Sequence, residues 1–109
     1  MTEQFTTERP ILDLLATMTA ASIETSTLDE KSLVLARIAA LVAVDAPPAS
    51  YLLNIGATRD IVDAEDVQGV LAAVAPIVGT ARIASASGNI VRALGLAIDI
   101  AELEQEETV

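Results

Sequence analysis

Four side chains of this sequence could together hold a small carboxylate: Arg37, Tyr51, Asn54 and Arg82. Arg37 is the only charge in the apolar run from Leu33 to Val44, and Arg82 follows Gly79 in a segment that also carries Ser85, Ser87 and Asn89. A guanidinium with hydroxyls nearby can grip a carboxylate at two points. Tyr51 and Asn54, just past Pro47 and Pro48, would add a phenol and an amide. Each residue also has a plainer reading. Arg37 could pair with an acidic group at a subunit interface, anchor an anion in a pocket, or run its stem past apolar neighbours to solvent. If it is buried and paired, its removal should cost about 3 to 5 kcal/mol. Arg82 could be a surface arginine beside acidic neighbours, and Tyr51, the only tyrosine, a packing anchor.

Other chemistry is excluded by composition. The 109 residues contain no histidine and no cysteine, so imidazole relays, thiolate nucleophiles, disulfides and the usual zinc sites have no ligands or nucleophiles to use. Carboxylates are plentiful, and two of them working as acid and base is conceivable. However, Asp29-Glu30 and Asp63 to Asp66 read as helix caps, and Glu104 to Glu107 as a solvated tail. There is no calcium-loop pattern, no glycine-rich phosphate loop and no Gly-x-Ser-x-Gly elbow. No cofactor and no metal is expected.

The elements that must position the four residues read as helices. Ile11, Leu14, Leu15 and Met18 form one apolar stripe after Pro10, and predict a first helix that opens with Pro in its first turn. Thr27 to Glu30 matches a capping box, so the second helix is expected from about Asp29 to Val44, covered on most sides because it is apolar nearly all round. Pro47 and Pro48 end it. A short helix is expected over Pro48 to Asn54, stopped by a left-handed Gly56. Asp63 caps the next, which carries Val67, Val70, Leu71, Val74, Ile77 and Val78 on one face and Gly69, Ala72 and Ala73 on the other, with Pro76 kinking its last turn. From Thr80 to about Gln105 a single helix is preferred over two pieces broken at Ser87-Gly88-Asn89, with Arg92, Asp99, Glu102 and Glu106 as a polar stripe. The expected fold is all-α, one domain of five to six helices over residues 1–109, with frayed tails at 1–9 and 106–109.

Hydrophobic residues make up 52% of the chain and aromatic ones only 2%, so Ala, Val, Leu and Ile must fill the interior. A mean hydropathy of +0.53 is more than so small a domain readily hides, which points to a homo-oligomer whose copies cover one another. Sixteen acidic residues against six basic give a formal charge of −10, which repels phosphate backbones and anionic membrane surfaces. No nucleic acid and no membrane partner is expected. The apolar runs fall short of the roughly 20 residues that span a bilayer, and the first residues lack the pattern of a signal peptide, so a cytoplasmic location is the expectation.

The order of several landmarks resembles the carboxymuconolactone decarboxylase family, the all-helical group that also includes the alkylhydroperoxidase D proteins. The residues that carry this are the Leu28-Asp29 helix start, the Ala-rich stretch to Val44, Gly56-Ala57-Thr58-Arg59, Glu65-Asp66-Val67, and Ala75-Pro76-Ile77-Val78-Gly79 before a long last helix. The resemblance implies a trimer or hexamer. The peroxidase-type members carry Cys-x-x-Cys and then His in the segment that here reads Val44 to Asn54, where no thiol occurs. The decarboxylases' histidine falls near Pro48 and the family's fourth-helix glutamate near Gly69. The chain therefore reads as a noncatalytic or small-molecule-binding homo-oligomer without peroxidase activity. The alternative is a cofactor-free decarboxylase or isomerase acting on a small carboxylate or lactone, with an arginine as anchor and an Asp or Glu as proton donor.

Overall fold

The computed structural model describes residues 9–95, which form five α-helices and one 3-10 turn, with no strand among them. The helices are α1 (Pro10–Thr25), α2 (Glu30–Ala43), α3 (Pro48–Ile55), α4 (Ala64–Val78) and α5 (Thr80–Leu94), and the 3-10 turn is Gly56–Ile61. Apart from Arg9, the expected tails at 1–9 and 106–109 lie outside the described residues.

The core belongs to α2 through α5. Val34, Ile38 and Val42 recur every fourth residue of α2 and meet Tyr51 and Ile55 of α3, Val67 and Leu71 of α4, and Ala86, Ile90 and Leu94 of α5. These spacings put one stripe of each helix inside. Helices α2 and α4 pack together with their first turns adjacent, where Lys31 of α2 pairs with Asp66 of α4 at 3.2 Å. Helix α5 follows α4 after the single residue Gly79, whose φ of 92° a side chain would strain, and packs chiefly on α3.

Helix starts are set by aspartate. Asp63 accepts from Asp66 N at 2.8 Å while the Asp66 carboxylate accepts from Asp63 N at 3.0 Å, a reciprocal capping box as the spacing predicts. At α2 the cap is Asp29, which accepts from Ser32 N at 2.7 Å, and not Thr27 two residues earlier. The backbone amides donated to Asp29 and Asp66 hold both carboxyls below the ordinary 3.8, with Lys31 adding to the effect at Asp66. A lowered folded-state pKa means that the stabilisation is present above the ordinary value and is lost as pH falls through the folded one. Melting temperature followed against pH should thus fall below about pH 4, and should fall less over that range in Asp29→Asn and Asp66→Asn.

Helix ends depart from expectation. Helix α2 is closed before the prolines by Asp45 in the left-handed region, φ 56°, with Ala46 N donating to Leu41 O and Asp45 N to Val42 O. This is a Schellman motif in which aspartate occupies the place usual for glycine. Gly56 keeps right-handed dihedrals, φ −50° and ψ −42°, because the chain continues into the 3-10 turn and needs no reversal there. Pro76 lies inside α4, which continues to Val78. Helix α5 passes unbroken through Ser87-Gly88-Asn89 but stops at Leu94, where Gly95 turns left-handed at φ 70°. The rest of the expected last helix, with Asp99, Glu102 and Glu106, lies outside the described residues.

Helix α1 forms where its periodicity predicts but leaves its apolar stripe outside the core. None of its residues is buried, and Ile11, Leu14, Leu15 and Met18 stand exposed, Ile11 at 68% and Met18 at 56%. The stripe has the helical period, but within one chain the core is already complete without it. On α4 the Gly69, Ala72 and Ala73 face is likewise open, and Ile77 is 82% exposed. No helix among the described residues is long and apolar enough to cross a membrane.

Candidate functional site

The structure brings two of the four candidate residues together. Arg37 and Asn54 line one groove of about 460 Å³ between α1, α2 and α3. Helix α2 carries Arg37 on the flank of its buried Val34 and Ile38 stripe, which leaves the side chain half-buried and directed at α1. Its Nη2 donates to Ser22 Oγ at 2.9 Å and to the Thr19 carbonyl at 3.4 Å. Asn54 Nδ2 donates to Ser50 O at 2.9 Å. Leu15, Ala16 and Met18 of α1 and Leu53 of α3 supply the apolar wall. No carboxylate lines this groove. A smaller cavity of about 50 Å³ shares Arg37 and Asn54 and reaches Glu30, which sits seven residues before Arg37 as its helical spacing predicts.

The arginine thus ties α1 to α2 through a carbonyl and a hydroxyl. Because it is half-buried and its contacts are hydrogen bonds to neutral groups, its loss belongs nearer the 1.5 to 3 kcal/mol typical of hydrogen bonds to a charged group, roughly its lower end, than to the cost of a broken buried ion pair.

Tyr51 is placed elsewhere. It is fully buried in the core and lines neither cavity, in keeping with the packing reading. Its hydroxyl has no hydrogen-bond partner. Burial, and secondarily the Asp45 carboxylate, pushes the phenol up to about 12, so it stays protonated and is no acid or base near neutral pH.

Arg82 serves the far end of α2. Its Nη1 donates to the Ala43 carbonyl at 2.7 Å, on the last turn of that helix, where a cation also suits the negative end of the dipole. One and two helical turns along α5, Ser85 Oγ donates to Asp45 Oδ1 at 2.8 Å and Asn89 Nδ2 to Ala46 O at 3.2 Å. Ser87 bonds within its own helix, to Ile83 O. The hydroxyl-rich stretch around Arg82 therefore grips the α2–α3 turn and secures the left-handed Asp45. Arg59, read from the sequence only as part of a family landmark, does the same at the other end by donating from Nη1 to Leu94 O at 2.8 Å.

What sequence reasoning missed at the groove is the contribution of α1 and α3: Thr19, Ser22, Ser50 and Leu53. The one available signal was the shared face of Leu15, Thr19 and Ser22, spaced by four and three residues. Among the described residues no three acidic side chains come close enough to hold a metal ion. No protein-family model, no curated protein and no solved structure matches this chain.

Proposed function

We propose that this chain is a noncatalytic, self-associating helical protein whose copies meet through α1. The observation that carries this reading is that α1 has apolar side chains along its whole length and buries none of them within its own chain. Ile11, Leu14, Met18 and Ala21 fall on one side of α1, and Leu15, Thr19 and Ser22, which flank Arg37, lie roughly a quarter-turn round the helix. The first set, whose Met18 also borders the groove at Arg37, forms a seam without charge.

The occupant that fits this seam is a second copy of itself. In a two-fold antiparallel pair, Ile11 comes to lie against Ala21 and Leu14 against Met18, so the stripe read backwards meets its own complement. Such a seam removes apolar area from water with no charge to desolvate. The small-residue face of α4 and the exposed Ile77 leave a second place where copies could meet, as the trimer or hexamer implied by the family resemblance would need.

The enzyme alternative needs a buried carboxylate whose pKa is raised. Among the described residues the carboxylates with a resolved shift are Asp29, an exposed helix cap, and Asp66, the partly buried partner in the Asp63 capping box, and both are shifted down. Arg82 is engaged with a helix end. No specific observation favours catalysis.

Light scattering of the purified protein tests the proposal. A mass at a multiple of 11.3 kDa is expected. Because two helices of about 24 Å offer less than the roughly 1,600 Å² of a standard interface, the mass should decline on dilution. A single-chain mass at high protein concentration would rule the reading out.

A further inference from the structure

We infer that the groove at Arg37 is a binding site for a small amphipathic carboxylate, a monoanion with an apolar tail. This inference does not rest on self-association, although Met18 borders both the groove and the seam.

Three observations carry it. Charge comes first: in a chain of net charge −10, this groove of about 460 Å³ is lined by one ionic side chain, and that one is cationic. A volume in this range is that of small-molecule sites. The second is the donor set. Arg37 carries five N–H groups, and its bonds to Thr19 O and Ser22 Oγ are made by Nη2, while Nε and Nη1 belong to the same planar fork. Ser22 accepts from Arg37 and retains its own hydroxyl proton, and Ser50 contributes a second hydroxyl to the lining. A guanidinium edge with hydroxyls beside it suits the two oxygens of a carboxylate. The third is the wall: Leu15, Met18 and Leu53 are apolar and exposed in the chain alone, so an alkyl tail laid against them would remove both surfaces from water. A cationic ligand has no counter-charge in this groove, and a neutral one leaves the arginine unmatched.

Octanoate is the probe, with octylamine and 1-octanol as the charge-reversed and neutral controls, titrated calorimetrically into the full-length protein. Octanoate should bind and octylamine should not, with 1-octanol weaker by about tenfold or more, the scale of one charge-assisted hydrogen bond. Arg37→Met should weaken octanoate by a similar factor, about tenfold or more. Because that variant also loosens α1, Leu53→Trp is the second arm: it fills the groove, leaves Arg37 in place, and should abolish binding with the helix content unchanged. Equal binding of octanoate and octylamine, or binding that Leu53→Trp leaves untouched, overturns the inference, as does no binding of octanoate at all.

Discussion

Leu14→Glu should reduce the assembly to single chains. Leu14 is 47% exposed in the isolated chain and is not part of the buried core, so the substitution leaves the fold of α2 through α5 intact. In an antiparallel α1 pair, however, it places a carboxylate at the centre of an uncharged seam, twice by symmetry. Desolvating an unpaired charge costs several kcal/mol, which translates to a weakening of association by more than about a hundredfold. Light scattering and circular dichroism together check this: a mass near 11.3 kDa with unchanged helicity is the expected pair of results. Ala20→Gln, on another side of α1, should leave the mass as it was. If both variants keep the wild-type mass, the seam is not where copies meet.

The other large effect is expected at Tyr51, and its size depends on which part of the side chain is removed. Among the described residues Tyr51 is the largest fully buried side chain, surrounded by an interior of Ala, Val, Leu and Ile. Tyr51→Ala should therefore cost about 3 to 5 kcal/mol, because small, closely packed helices cannot collapse far enough to fill the space. Tyr51→Phe should be neutral or stabilising by up to about 1 kcal/mol, since the hydroxyl it removes is buried without a partner. Chemical denaturation of the two variants measures both. A clear loss of stability in Tyr51→Phe would mean that the hydroxyl is bonded in solution, with the nearby Asp45 carboxylate the first group to consider.

The two expectations share a physical basis. A chain with 52% hydrophobic residues but 2% aromatic ones gains its core from many small contributions and one large one, Tyr51. What it fails to cover it leaves on α1.

Much of the fold was legible because it rests on local chemistry. The all-α class, the position of α2, the Asp63–Asp66 capping box and the break at Gly79 each depend on residues within one or two turns of each other. The errors have local explanations too. Thr27 and Asp29 both have cap chemistry, and in the structure it is Asp29 that accepts from the first turn. Gly56 looked like a stop for α3, but the chain runs on there into the 3-10 turn, while the left-handed turn that closes α2 falls on Asp45, held by Ser85 of α5.

The candidate site was legible by residue type and not by address. Sequence alone determined that any ligand chemistry must run through arginine, hydroxyls, amides and carboxylates, since histidine and cysteine are absent, and that apolar surface would exceed what one small domain hides. Only the tertiary structure decided that Arg37 joins Asn54 and the α1 hydroxyls in one groove, that Tyr51 belongs to the core, and that Arg82 and Arg59 are spent on helix ends. The physical reason is reach: helical period reveals which side chains share a face, but whether that face meets the core, a neighbouring carbonyl or solvent depends on residues 15 to 43 positions away, and periodicity carries no information about those.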